Sequence, residues 1–150
     1  LKDILRPIGV VSRALDSIAN IEFKEMDLSR GQYLYLVRIC ESPGIILERL
    51  ANMLKVDKTT AARSIQKLEL KGLIERRSDH INRKIKMIYP TEKGEAVYPV
   101  LQREERYSNS VAMRGFSKAE QDQLFELMER VANNVDDDWK LVKGGSKRNY

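Results

Sequence analysis

Thr59, Thr60, Arg63, Gln66 and Lys67 fall on one side of the segment from Lys58 to Lys71 when it is wound as a helix at about 100° per residue. Ala61, Ile65 and Leu68 fall roughly opposite. The polar side is rich in hydrogen-bond donors and free of carboxylates. An Arg guanidinium can bond two acceptors on guanine, and a Gln amide two groups on adenine, at the major-groove edge of a duplex. Thr and Lys more often hold phosphates, which position a helix without reading sequence. The pattern therefore assigns base-edge contacts to Arg63 and Gln66, and backbone contacts to Thr59, Thr60 and Lys67, with Lys58 beside them at the helix start.

Charge points to the same stretch. Lys55 to Lys86 holds ten of the 27 basic residues but four of the 22 acidic ones, so this window carries +6 and the remainder −1. A polyanion binder needs such a concentrated positive footprint. Within it, Leu73 to Arg77 and Ile85 to Tyr89 read as two strands, joined by the polar loop Ser78 to Lys84. Arg76, Arg77, Arg83 and Lys84 are the candidate contacts of this hairpin, and an Arg or Lys at its tip could enter a narrow minor groove.

Other chemistries find little to work with. His80 is the only histidine and Cys40 the only cysteine, which cannot assemble a usual structural zinc site or an internal disulfide framework. No Gly-rich phosphate loop or nucleophile–base motif appears, so an enzyme, a metal and a cofactor are not expected. No apolar run approaches the ~18 residues of a membrane span. Leu1 to Asn20 is too charged for a signal peptide, and a single thiol fits a reducing cytoplasm.

The elements that must hold these residues follow from periodicity and capping. Leu1, Leu5, Ile8, Val11, Leu15 and Ile18 make a first amphipathic helix, with Pro7 near its start. Ser29 and Gln32 read as a capping box, and Leu28 with Tyr33 as its hydrophobic staple, opening a second helix that ends at Ser42-Pro43-Gly44. Ile46 to Leu54 is a short third helix. Asp57 caps the fourth, and Gly72 stands where a left-handed residue ends it. Thr91 caps a fifth helix, in which Pro99 predicts a kink. Ser117 and Glu120 box the sixth, lined by Leu124, Leu127, Met128, Val131, Val135 and Trp139. Gly144 to Arg148 reads as a flexible basic tail.

The fold expected is mainly α with a small two-stranded β wing. Residues 29–91 form a winged helix-turn-helix, residues 1–28 and 92–143 a helical dimerisation region, and residues 144–150 the tail. The outer helices carry apolar stripes beyond the needs of so small a core, and a symmetric dimer is the commonest way to cover them.

Leu50 to Thr60, continuing through Leu68-Glu69-Leu70-Lys71-Gly72-Leu73-Ile74-Glu75-Arg76, resembles the helix-turn-helix and wing entry of the multiple-antibiotic-resistance regulator (MarR) family of bacterial transcription factors. Tyr89-Pro90-Thr91-Glu92-Lys93-Gly94 resembles the family's Leu-Thr-x-x-Gly signature, with Pro90 in place of the leucine. The wing departs further: Asn82, Arg83 and Lys84 stand where the family usually has Asp-x-Arg, and Asn82 cannot form an aspartate's salt bridge. The resemblance implies a homodimer paired through its first, fifth and sixth helices, binding a pseudo-palindromic operator in double-stranded DNA. It also implies a repressor, released by a small, often aromatic, effector.

Two other readings differ in kind. A redox-sensing repressor would use Cys40, but this residue continues the apolar face of Tyr33 and Leu36, which favours a structural role. A winged helix used only for protein contacts would have no need of Arg63 and Lys67 on its open face.

Overall fold

The computed structural model describes residues 2–150. Leu1, counted above in the first apolar stripe, lies outside the described residues. Helix α1 (Leu5–Glu22) takes Pro7 into its first turn, where N–H groups have no intrahelical acceptor. A 3-10 turn (Lys24–Met26) and a left-handed Asp27 lead to α2 (Arg30–Glu41). Leu28 and Tyr33 are both buried, as a staple requires. The capping box expected beside them does not form. Ser29 makes no side-chain cap bond, and the Gln32 side-chain carbonyl instead accepts from Lys71 Nζ, distant in sequence but adjacent in space.

Beyond α2 the chain runs through β1 (Ile45–Ile46), α3 (Leu47–Leu54), α4 (Lys58–Leu70), β2 (Ile74–Ser78) and β3 (Lys86–Pro90). The wing hairpin is one residue later than expected and carries a third strand. β1 pairs antiparallel with β3, Ile45 opposite Ile88 and Ile46 opposite Met87, giving the order β1-β3-β2. Ile46, expected in α3, is therefore extended. Gly44, with φ of 90°, turns its N–H onto Ile88 O at 2.8 Å and aims the chain along the sheet. This pairing stitches the wing to the segment that enters the helix-turn-helix. Pro90 is tolerated because it lies past the end of β1, where the ladder is no longer flanked on both sides.

One core joins these elements. Tyr33, Leu36, Ile39, Leu50, Ile65, Leu68, Ile74 and Ile88 are almost completely buried, joined by Ala19 from α1 and Leu101 from α5 (Glu92–Ala112). The α5 helix runs unbroken through Pro99. Its start is capped by Thr91, whose Oγ1 accepts from Gly94 N at 3.1 Å and donates to Gly72 O at 2.6 Å.

The chain packs as two units, one ending at Ser108 and the other spanning Asn109–Tyr150. The second is built on α6 (Lys118–Lys143), opened by the expected box: Glu120 N donates to Ser117 Oγ at 3.2 Å and Ser117 N to Glu120 Oε2 at 2.8 Å. No residue of α6 is buried. After Gly144 the chain is irregular, with Ser146 N bonded to Leu141 O and Arg148 paired with Asp138.

Candidate nucleic-acid interface

Helix α4 is positioned from both ends and from below. Asp57 caps it, Oδ1 accepting from Thr60 N at 2.7 Å. At the other end Leu73 N reaches back to Leu68 O and Gly72 N to Glu69 O, both at 3.0 Å, with Gly72 at φ 74°. Ala61, Ile65 and Leu68 are buried, as the helical spacing required. A buried Ile or Leu is worth roughly 1.5–3 kcal/mol, whereas an exposed ion pair gives ~0–1 kcal/mol. The apolar anchors therefore set the rotation of α4. Asp57→Ala is expected to lower stability by about 1 kcal/mol, readable as a lower urea midpoint, with Asp57→Asn retaining most of the cap; an unchanged midpoint in the alanine variant would disprove the capping role.

That rotation leaves Thr59, Thr60, Arg63, Gln66 and Lys67 exposed along one side. Among the described residues, no hydrogen bond or ion pair engages the side chains of Arg63, Gln66 or Lys67. Thr60 differs: its hydroxyl donates to Asp57 Oδ2 at 3.1 Å, so its first task is to reinforce the cap. Lys58 stands 3.7 Å from Glu48, a pair exposed on both sides and readily given up for another anion.

The wing approaches the start of this helix. Lys58 and Ala62 of α4, Arg76 of β2, Lys84, and Lys86 of β3 line one hollow of about 310 Å³ over Ile46, Leu47 and Ile88. Lys58 of α4, Arg76 of β2, Lys84 of the wing loop and Lys86 of β3 thus line one space, with Glu48 the carboxylate in its lining. Lys86 was counted in the charge window above but not among the candidate contacts. Strand alternation carries the missing signal, because Lys86 shares its parity with Ile88, which also lines the hollow.

These elements are those of known proteins. The MarR family model matches residues 28–86. The uncharacterized HTH-type transcriptional regulator YybA of Bacillus subtilis (strain 168) is 57% identical over 150 residues, covering 100% of both chains. A structure described as a MarR family transcriptional regulator from Listeria monocytogenes, complexed with 26mer DNA, is 54% identical with a TM-score of 0.97 over 100% of both chains. The structure of the transcriptional regulator SlyA is 57% identical with a TM-score of 0.91, covering 94% of this chain and 99% of that one. The chain belongs to the MarR family of transcriptional regulators.

Within this MarR-family wing, the four candidate cations do not form one set. Arg76 and Arg77 lie on opposite faces of β2, as successive strand residues must. Arg76 is clamped by Glu69 on α4, its Nε and Nη2 each 2.9 Å from a carboxylate oxygen. These bonds hold the Glu69 carboxyl below its usual pKa. A carboxylate whose pKa is depressed by folding contributes stability above its unfolded value and loses it as pH falls through the lowered one. The clamp is therefore closed at neutral pH. Arg77 lies over the Tyr89 ring, 4.3 Å from its centroid, and bonds Glu75. Arg83 and Lys84 are exposed on the loop. Cation grouping by sequence alone thus overstates the wing's available charge: Arg76 and Arg77 each have a carboxylate partner already.

Cys40 is half-buried against the core, and burial with Glu95 and Glu41 nearby pushes its thiol up to about 11. At neutral pH it is almost wholly protonated, the unreactive form. No helix among the described residues is long and apolar enough to cross a membrane.

Proposed function

We propose that this regulator binds double-stranded DNA sequence-specifically as a homodimer, reading a pseudo-palindromic operator with α4 and gripping its flanks with the wing. The observation that carries this reading is the outward side of α4, where Arg63, Gln66 and Lys67 are exposed with no internal partner among the described residues. Buried charges are paired inside proteins, and exposed donors arrayed without carboxylates on a capped helix suit the acceptor-rich major groove. The Listeria monocytogenes relative was solved with 26mer DNA, which supports the same use here.

Dimerisation rests on apolar surface. Leu5, Val11 and Ile18 of α1, and Leu127, Met128 and Val135 of α6, are exposed in the single chain. Exposed apolar stripes of this extent mark association surfaces, and two-fold pairing is the commonest form. A two-fold dimer presents two copies of α4 and so calls for an inverted-repeat site. We further read the protein as a cytoplasmic, non-enzymatic repressor that occupies its operator until a small, aromatic effector lowers its affinity; family resemblance supports this part.

The test is duplex binding against ionic strength, using a duplex enriched by the protein from a randomised pool. Phosphate contacts release counterions, so log K must fall linearly with log salt, by ~0.9 for each phosphate neutralised. Affinity indifferent to salt, or a pool that yields no enriched inverted repeat, would defeat the reading. A reporter driven through the enriched site then separates repression from activation.

A further inference from the structure

Ile81 stands at the tip of the wing loop with 98% of its surface exposed. So placed, it adds nothing to the core and presents a branched apolar side chain to water. The loop that carries it is nevertheless tightly constructed. Asp79 Oδ1 accepts from Ile81 N at 2.7 Å and Asn82 N at 3.4 Å, and Asn82 Oδ1 accepts from Lys84 N at 3.1 Å. Asp79 N and Ile85 O close the base of the loop at 3.0 Å. Two side-chain turns thus hold the tip in one conformation.

The same bonds settle the electrostatics. Asp79, the only carboxylate between Ser78 and Lys86, accepts from the loop's own N–H groups, while Arg83 and Lys84 are exposed beside the tip in the same loop. The result is an apolar projection in a cationic setting. A DNA minor groove has matching chemistry: its walls are deoxyribose C–H surface and its potential is strongly negative where it narrows. Apolar side chains are known to enter minor grooves as wedges.

Resting on the DNA-binding reading above, we propose that Ile81 is a specificity-determining contact, seated between the sugar walls of the minor groove flanking the α4 site. It favours A·T pairs there. Guanine places an N2 amino group on the groove floor, where it would obstruct an isoleucine and lose its own hydration. Arg83 and Lys84 supply the phosphate contacts that hold the tip in place. Asn82, which departs from the family's aspartate, is used as the turn former that aims it.

The experiment measures affinity of the full chain for its pool-enriched duplex across a salt series. Ile81→Ala and Ile81→Asn are expected to bind about five- to tenfold more weakly, as removal of a partly buried aliphatic contact requires, with the salt slope unchanged. Ile81→Leu keeps parental affinity, and Arg83→Ala flattens the slope by about one phosphate. Replacing A·T by G·C beneath the wing weakens the parent but not Ile81→Ala, and inosine in place of guanine, which lacks the amino group, restores the parent. Full exposure of Ile81 means these variants fold as the parent does. Parental affinity and A·T preference in Ile81→Ala would overturn this proposal alone; absence of salt-dependent duplex binding by the parent would overturn the DNA reading and this with it.

Discussion

Replacing Gly94 by alanine is expected to destabilise the protein by about 3 kcal/mol or more, at the upper end of what overpacking costs. A Cβ on Gly94 would stand 2.1 Å from Leu73 O and 3.1 Å from Leu73 C. No real contact is so short, and the obstacle is backbone, which cannot swing aside as a lysine head could. Retreat is also blocked, because the first turn of α5 is tied to the end of α4 at three successive carbonyls. Lys93 Nζ reaches Lys71 O at 2.8 Å, Thr91 Oγ1 reaches Gly72 O at 2.6 Å, and Thr91 N reaches Leu73 O at 3.0 Å. Relieving the clash means giving up several of these bonds and lifting α5 from Leu73 and Leu36. The measurement is the urea midpoint at fixed protein concentration, since the apparent stability of any chain that associates depends on it. Gly31→Ala serves as control: a Cβ there meets only Ser29 Oγ at 3.8 Å, so it should be neutral or stabilise by up to about 1 kcal/mol. Equal midpoints for Gly94→Ala and the parent would show that α5 is not docked as described.

This contact gives the Thr91-x-x-Gly94 signature its physical meaning. The threonine hydroxyl caps α5 and binds the exit of α4, and the glycine lets the two approach. Both are needed to carry the chain from α4 and the wing into the long helix α5. The motif is therefore a mechanical joint, and its spacing is that of a helix cap, three residues from Oγ1 to the N–H it accepts.

Residues governed by local rules were legible without a structure. The burial of Ala61, Ile65 and Leu68 follows from 3.6-residue periodicity, and the ends of α4 from an aspartate before it and a glycine after it. What escaped depends on partners distant in sequence. Ile45–Ile46 is too short to carry a periodic signal, and it is a strand only because Met87 and Ile88 lie alongside. Gln32 looks like half of a capping box until Lys71, 39 positions on, takes its carbonyl. Arg76 and Arg77 look alike as charges, yet only their alternation and the position of Glu69 reveal that they face different surroundings. Ile81 has no periodic neighbours at all, so its exposure became visible only with the loop's hydrogen bonds.

The division of labour along α4 yields the second large effect. Arg63→Ala is expected to weaken binding to the enriched duplex by ~1–3 kcal/mol, and to do so unevenly across single-base variants of the site. Lys67→Ala should weaken binding to all of them alike and flatten the salt slope by about one phosphate. The difference comes from chemistry and placement. A guanidinium fork in the groove matches two acceptors of one base and loses both against another, whereas an ammonium on a flexible stem meets a phosphate whatever the base beside it. Arg63 lies two positions from Ala61 and Ile65, whose burial fixes the side of α4 that faces outward, while Lys67 lies one turn later, toward the C-terminal end. Neither side chain has a folding partner among the described residues, so both variants should melt as the parent does. If Arg63→Ala lost affinity equally for every site variant, Arg63 would be a phosphate contact, and sequence reading by this helix would have to pass to Gln66.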